Sequence, residues 1–445
     1  MKIVLLSGGS GSRLWPLSNA YRSKQFLKVL EKDKTQKQSM VQRVFLQLKK
    51  IGLEKEILIA TNHNQIDMLR LQLGQDIEIV TEPERRNTFP AISLAAAYLY
   101  LVKQCTLDEM IAVIPIDVFA DDHYFKLIHS LEEPIRNENY EIALLGVEPT
   151  YPSEKYGYII PDGNKKSSYK KVVSFKEKPS VDLANVLIQE KKALWNCGVF
   201  GFKLQTIIEK LKQYISFENY EDVYKQYNAL PKISFDYEVV ENCKSTAVIQ
   251  YSGEWEDLGT WKSLSNKIVD RVNGKAILSE DSENTHIINE LDIPIVAIKQ
   301  ISQMIVATPD GILVSDKEET EGIKKYLKEE QRPMYERRRW GEYKVLDYSV
   351  QEDSLQVLTK KIIVEAGKNL SYQYHNQRAE IWTIVEGAGV FLINGVKKNV
   401  KRGDVLNIKV GDKHAIKANT QLTFVEVQLG KELTEDDIVR IKMEF

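Results

Sequence analysis

A run of small residues, Ser7-Gly8-Gly9-Ser10-Gly11-Ser12, ends on Arg13, and Lys24 follows within Ser23-Lys24-Gln25-Phe26. Glycines at Gly8, Gly9 and Gly11 let backbone N–H groups approach phosphate oxygens with no Cβ in the way. Two cations beside such a cradle would neutralise a triphosphate and the charge that develops as it is split. A dinucleotide fingerprint needs a third glycine where Leu14 stands, and a P-loop ends in Gly-Lys-Ser/Thr, so neither pattern is met. A tight strand-to-helix turn flanked by surface cations is the alternative reading of the glycines.

Asp117 closes the apolar stretch Ile114-Pro115-Ile116-Asp117, and Asp257 sits between two tryptophans in Trp255-Glu256-Asp257-Leu258-Gly259-Thr260-Trp261. Splitting a phosphoric anhydride asks little covalent help of a protein. It asks for a divalent cation across the phosphates and hard oxygen ligands to hold it. Two carboxylates converging from distant parts of the chain would supply them, although an aspartate after a strand also serves as a turn or helix cap. Further on, Gln373 and His375, then Glu380 and His414, form a mixed nitrogen and oxygen set. Residues 373 and 375 of a strand share a face and could both reach one metal, a divalent ion such as zinc. Gly387 and Gly389 mark a turn between the two ligand groups. Unrelated surface histidines, two of the six in the chain, are the alternative.

Short apolar runs alternate with amphipathic stretches through the first part of the chain. The pattern predicts strands at Lys2–Ser7, Glu56–Ala60, Ile77–Val80 and Met110–Ile114 and helices around Ser39–Lys50, Gln65–Leu73 and Ala91–Val102. That is an α/β domain, Rossmann-like, with a mainly parallel sheet. Ligands of such a sheet bind beyond the C-terminal strand ends, which makes Ser7–Arg13 and Pro115–Asp117 candidates for one site. From about Gly274 the runs become short and β-like, at Ile293–Lys299 and Gln303–Ala307, closed by a helix-like Lys317–Glu329. This reads as a small linking domain followed by a linker at Glu330–Arg339. Beyond Trp340, alternating and β-branched runs with turns at Asn394-Gly395 and Gly403-Asp404 predict a small antiparallel barrel. The expected domains are therefore 1–273, 274–330 and 331–445.

At 445 residues the chain exceeds what one core usually covers. Its 61 Lys and Arg balance 63 Asp and Glu without a block of one sign, which speaks against a nucleic-acid or membrane partner. No segment approaches the roughly 20 apolar residues of a membrane span. The first apolar run is too short for a signal-peptide core. Cys105, Cys197 and Cys243, odd in number and far apart, offer neither a disulfide framework nor a zinc ribbon, so the expectation is a reducing cytoplasm.

The segment Leu6-Ser7-Gly8-Gly9-Ser10-Gly11-Ser12-Arg13-Leu14-Trp15-Pro16-Leu17-Ser18, followed by Lys24-Gln25-Phe26-Leu27, resembles the signature of bacterial mannose-1-phosphate guanylyltransferases. The resemblance implies GTP and mannose 1-phosphate as substrates and Mg²⁺ held by Asp117 and Asp257. It places the triphosphate on Gly8, Gly9 and Gly11 with Arg13 and Lys24 on its phosphates. Glu82-Pro83-Glu84-Arg85-Arg86-Asn87-Thr88 is similar to the family's nucleotide-pocket segment and brings in Arg86 and Asn87. Tyr156-Gly157-Tyr158-Ile159, Glu177-Lys178-Pro179 and Trp195-Asn196-Cys197-Gly198 resemble the elements that close over the sugar phosphate. They imply that Lys178 neutralises the attacking phosphate, that Glu177 and Asn196 bond sugar hydroxyls, and that Gly157 leaves room for the ring. Departures are Ser23 for proline, Ile116 and Val118 around Asp117, and Cys197 for a small hydroxyl residue.

The run Leu370–Trp382, with Glu426-Val427-Gln428 and Glu435-Asp436-Asp437-Ile438-Val439-Arg440, resembles the cupin domain of type II phosphomannose isomerases, which is often fused to this guanylyltransferase. Arg378 and the ligand set match. Asn376-Gln377 replaces a histidine-rich run and Ile381 another histidine, so a domain retained for folding or association stands beside an isomerase. Other readings are transfer to a different sugar phosphate or from a different nucleotide, and a non-catalytic regulator that binds sugar nucleotides. A homodimer is one assembly open to the chain.

Overall fold

The computed structural model describes the chain apart from residues 10, 11, 20, 21, 34, 35, 164–167, 328–331, 435, 436 and 443–445, and for Ser12 the backbone alone. The described residues pack as two compact units, Met1–Leu14 with Ser23–Val269, and Trp15–Arg22 with Asp270–Phe445.

In the first unit the strands Lys2–Leu6, Ile57–Asn62 and Met110–Pro115 are apolar at almost every position, as strands covered on both faces must be. Side chains alternate across the sheet. Ile3, Leu5, Ile57, Ile59, Ala112 and Ile114 enter one core, while Val4, Leu58, Ala60, Ile111 and Val113 enter the other. Helix Met40–Lys50 covers the first face through Val41, Val44 and Leu48, one stripe of a 3.6-residue period, and begins in a capping box between Ser39 and Gln42. Helix Thr88–Leu101 covers the second face and is apolar nearly all round, being itself enclosed.

The sheet runs Glu78–Glu82, Ile57–Asn62, Lys2–Leu6, Met110–Pro115, Leu194–Lys203, Ile142–Val147, Thr246–Tyr251, Lys170–Lys176, Tyr158–Pro161. Its first four strands are parallel. Leu194–Lys203 inserts antiparallel to both neighbours, so the sheet is mixed beyond that point. A separate ribbon, Val118–Ala120 with Trp255–Asp257, pairs antiparallel, with Asp257 opposite Val118.

The second unit opens with short parallel rungs. Val272–Gly274, His286–Asn289 and Gln303–Thr308 stack on one side and Ala276–Leu278 and Ile295–Ala297 on another, around Ile287, Ala297 and Ile305. Residues 15–22, grouped with the first domain from sequence, belong here: Thr308 Oγ1 donates to the Pro16 carbonyl (3.0 Å), and Arg22 makes a two-pronged pair with Glu290 at 2.6 Å. The expected helix at 317–329 is corrected. Among the described residues, the chain first turns back at Gly311 into the antiparallel strand Gly311–Asp316 and then forms only a 3₁₀ stretch, Thr320–Lys325, while residues 328 and 329 of the expected helix lie outside the described ones. No side chain caps its start and only Thr320 and Ile323 are buried, too narrow a stripe to sustain a longer helix.

The expected linker also shrinks, because Tyr335–Arg338 pairs with Gly341–Val350 as an outer strand of the barrel. Two antiparallel sheets of six and five strands enclose Trp382, Ile384, Phe391, Ile416 and Phe424. Asn394 and Gly395, both at positive φ, form the hairpin turn between Ala388–Ile393 and Val396–Lys401. Gly389 is no turn residue: it lies within Ala388–Ile393, where a Cβ would come 2.4 Å from the Lys417 carbonyl oxygen.

Candidate functional site

The glycine loop leaves its strand through a polar knot. Ser7 N donates to the Ala60 carbonyl (2.9 Å), and the Ser7 carbonyl accepts from Gln25 Nε2 (3.2 Å) and Thr61 Oγ1 (3.3 Å). Buried Gln65 ties the rest: its Oε1 accepts from Ser7 Oγ, Gln25 Nε2 and Thr61 Oγ1, and its Nε2 donates to Ser23 Oγ. Ser23-Lys24-Gln25 is thereby fixed beside the start of the loop. Gly8 and Gly9 are exposed, and a Cβ on either would meet open space, so the backbone there is accessible to a ligand. Arg13 is exposed in the 3₁₀ turn Ser12–Leu14, and Gly11 lies outside the described residues.

Asp117 and Asp257 converge. The ribbon sets Asp257 opposite Val118, and Leu258 N donates to the Asp117 carbonyl at 3.0 Å, which places the two carboxylates side by side. Lys24 Nζ donates to Asp117 Oδ2 at 2.6 Å and stands 4.0 Å from Asp257 Oδ1. Burial works to raise the Asp117 carboxyl, but the charge and hydrogen bond of Lys24 outweigh it and hold it below the ordinary value. For Asp257, burial and then the Asp117 charge push it up. Asp257 Oδ1 has no hydrogen-bond partner. Two neighbouring carboxylates with an unpartnered oxygen and roughly a third of their side-chain surface open fit a hard divalent cation.

Both aspartates line a cavity of about 180 Å³ together with Lys155, Tyr156, Gly157, Glu177, Asn196, Cys197 and Asp236. Gly157 is required by space: a Cβ there would fall 2.5 Å from Glu177 Oε2 and 2.7 Å from Phe175 Cζ. Glu177 is buried, its Oε1 held by Lys178 Nζ at 2.5 Å. Burial lowers the Lys178 ammonium, but the Glu177 bond and charge raise it further, so it stays protonated. Lys178 is half-exposed and adopts φ +44°, a strained conformation for a side-chain-bearing residue.

The structure does not bring every candidate into this cavity. Arg86 donates through Nε to the Leu230 carbonyl and pairs with Glu84, and Asn87 caps helix Thr88–Leu101, its Oδ1 accepting from Thr88 N. Neither lines the cavity, nor does Lys178. Sequence reasoning missed Lys155 and Asp236. Lys155 directly precedes a recognised segment and was within reach. Asp236 carried no such signal. It opens the π-helical turn Asp236–Val240, and burial, then the Glu177 charge, pushes its carboxyl up to about 6.

In the barrel, His375, Glu380 and His414 present ligand atoms within 4.8 Å of one another, all buried. Glu380 Oε1 lies 3.1 Å from His375 Nε2 and accepts from Arg378 Nε at 2.9 Å. Glu380 Oε2 accepts from Trp382 Nε1 and lies 3.4 Å from His414 Nε2, which is not aligned for a hydrogen bond. Burial would raise Glu380, yet the two histidines and Arg378 hold it well below the carboxylate range. His414 Nδ1 faces the Asp412 carbonyl at 2.9 Å, so in the neutral ring Nδ1 carries the proton and Nε2 keeps its lone pair, as a metal ligand needs. Gln373 is the strand partner of His414, with its Oε1 accepting from Ser371 Oγ at 2.7 Å. The barrel fits a divalent metal.

Among the described residues no helix is long and apolar enough to cross a membrane. Residues 2–272 match the nucleotidyl transferase family and residues 326–443 the mannose-6-phosphate isomerase C-terminal domain. A mannose-1-phosphate guanylyltransferase of Salmonella typhimurium is 31% identical over 99% of this chain and 96% of its own. Another, of Escherichia coli K12, is 29% identical over 98% and 97%. A crystal structure described as a mannose-1-phosphate geranyltransferase from Thermus thermophilus superposes with a TM-score of 0.60 at 25% identity, covering 74% of this chain and 98% of that one. Matched along nearly its whole length, the chain belongs to the mannose-1-phosphate guanylyltransferase family.

Proposed function

We propose that this chain transfers GMP from GTP to mannose 1-phosphate, giving GDP-mannose and pyrophosphate. The convergence of Lys24 on Asp117 and Asp257, the two aspartates that line a cavity of about 180 Å³, carries the reading. A phosphate oxygen of mannose 1-phosphate attacks the α-phosphorus in line; the new P–O bond forms as the bond to the bridging oxygen breaks, and pyrophosphate departs with that oxygen. No protein nucleophile is needed, since positioning and charge neutralisation supply the rate.

Backbone N–H groups of Gly8, Gly9 and Gly11 hold the phosphates, Arg13 and Lys24 neutralise them, and Arg86 and Asn87 serve the nucleotide. Glu177 and Asn196 orient the sugar beside Gly157, and Lys178 sits by its phosphate. Asp117 and Asp257 hold Mg²⁺, which when bound draws charge from the phosphates. In the barrel, Gln373, His375, Glu380 and His414 hold a second divalent metal such as zinc. Residues 1–273 carry the transfer, 274–330 link and 331–445 form the barrel. The three free thiols suit a reducing cytoplasm.

Pyrophosphate release with each of the four nucleoside triphosphates against several hexose 1-phosphates tests the reading. Turnover with GTP and mannose 1-phosphate above the other pairs is expected. Binding without turnover would make the chain a sensor, and preference for another pair would reassign its substrates. Mannose 6-phosphate supplied alone tests the barrel for isomerase activity.

A further inference from the structure

The second unit holds a cavity of its own, about 310 Å³, lined by Arg22, Glu290 and Pro309 and by the barrel strands Tyr335–Arg338, Gly341–Val350 and Gln356–Val364. Strand register sets Tyr335, Lys344 and Lys361 in one row across those three strands, so their side chains share a face. Tyr343 and Val345, on either side of Lys344, enter the barrel core, and the row therefore faces away from it.

Lys344 and Lys361 stand directly opposite each other, a placement of like charges that works against the sheet. The carboxylates of the cavity do little to relieve it. Both oxygens of Glu290 accept from Arg22 at 2.6 Å, and Glu342 Oε2 accepts from the Tyr335 hydroxyl at 2.8 Å. Asp292 lies 3.9 Å from Lys344 Nζ but 3.5 Å from Lys275 Nζ, and its side chain is 90% exposed, so the pair with Lys344 is worth little. Among the described residues no carboxylate comes within ion-pair reach of Lys361.

Two ammonium groups on adjacent strands, both facing one cavity, suit an anion with several oxygens, above all a phosphate. The remaining wall suits what such a phosphate is attached to. The Tyr335 ring lies 5.5 Å from the Arg22 guanidinium carbon, and Pro309 and Ile363 add apolar surface, as a bound ring needs. The volume falls at the lower end of small-molecule sites, which begin at about 300 Å³.

We propose that Lys344 and Lys361 form a second ligand site that takes a phosphate carried on a ring, as in a sugar phosphate or a sugar nucleotide. It shares no residue with the paired aspartates or with the His375, Glu380 and His414 centre, and it stands without the guanylyltransferase reading.

The test is calorimetric titration of wild type, Lys361→Met and the double variant K344M/K361M with inorganic phosphate, mannose 6-phosphate and GDP-mannose in turn. At least one of the three should bind wild type at one site more per chain than the double variant, and K361M should weaken that component about tenfold or more, as loss of a charge-assisted hydrogen bond does. Loss of a phosphate component assigns the site to phosphate alone; loss seen only with mannose 6-phosphate or GDP-mannose assigns it to the sugar phosphate or the sugar nucleotide. Identical isotherms in all three proteins would overturn the proposal. Thermal unfolding without ligand gives a second readout. Lysines kept opposed for a ligand cost the fold, so the melting temperature of K361M should equal or exceed that of wild type. A lower one would show that Lys361 serves the barrel and would overturn the proposal as well.

Discussion

Lys24 donates to Asp117 across 2.6 Å, so the cation placed for a triphosphate also holds together the acidic centre beside it. Replacing Lys24 with Met leaves Asp117 and Asp257 as neighbouring like charges. The expected loss is about 1–2 kcal/mol, below that of a fully buried pair because both carboxylates are partly open to solvent. The double variant K24M/D117N should recover most of it. Urea unfolding decides; a K24M variant as stable as wild type would show that the pair contributes nothing to the fold.

Asp257→Asn separates catalysis from folding. Burial and the Asp117 charge disfavour ionised Asp257, so the amide relieves strain and the melting temperature should not fall. Turnover should drop by at least about 10²–10³, as when a group stabilising transition-state charge is removed. Wild-type rates in D257N would refute the metal assignment.

Gly157→Ala tests the sugar end alone. Its Cβ would press on Glu177 Oε2 and on the Phe175 ring, which belongs to a strand and has little freedom to move. KM for mannose 1-phosphate should rise about tenfold or more, the cost of a misplaced methyl in a tight site. KM for GTP should hold. A rise shared by both substrates would place the damage in the fold.

Elements with strong periodicity were legible in the sequence: the apolar strands at Lys2–Leu6 and Met110–Pro115, the stripe on Met40–Lys50 and the Asn394-Gly395 hairpin all follow from local pattern. What failed depends on distant pairing. Tyr335–Arg338 reads as a charged linker, yet Glu336 is buried, accepting from the Tyr343 hydroxyl and pairing with Arg338. Leu194–Lys203 lies antiparallel within the sheet although no turn signal announces it. Asp236 illustrates the limit for the site. Its importance comes from Asn196 and Glu177, both far off in sequence, and its own neighbours Phe235 and Tyr237 carry no chemistry that would single it out.

Asp236 also predicts a pH dependence. Its folded carboxyl, pushed up to about 6 by burial and the Glu177 charge, lies above the usual aspartate value near 3.8. The folded state therefore binds more protons between those values, and stability falls as pH rises from about 4 to about 6. Above that window the penalty is complete. Asp236→Asn removes it, so the variant should gain at most about 3 kcal/mol over wild type at neutral pH and nothing below pH 4. Unfolding curves of both proteins across this range check it; a constant difference at every pH would mean that another group titrates.

The barrel centre behaves in the opposite sense. Glu380 is held well below the carboxylate range, so its contribution is present above the ordinary value of about 4.3 and is lost as pH falls through the folded one. Glu380→Ala removes the counter-charge of Arg378, whose side chain is only 3% exposed and keeps the Thr434 carbonyl as an acceptor. Leaving such a guanidinium buried without a counter-charge costs up to about 3–5 kcal/mol. The barrel's melting transition should fall accordingly and bound divalent metal should be lost on dialysis. Pyrophosphate release from GTP should persist, because none of the proposed transfer residues belongs to the barrel. If E380A halts nucleotidyl transfer while helix Thr88–Leu101 and its sheet remain folded by circular dichroism, the division of labour between 1–273 and 331–445 is wrong.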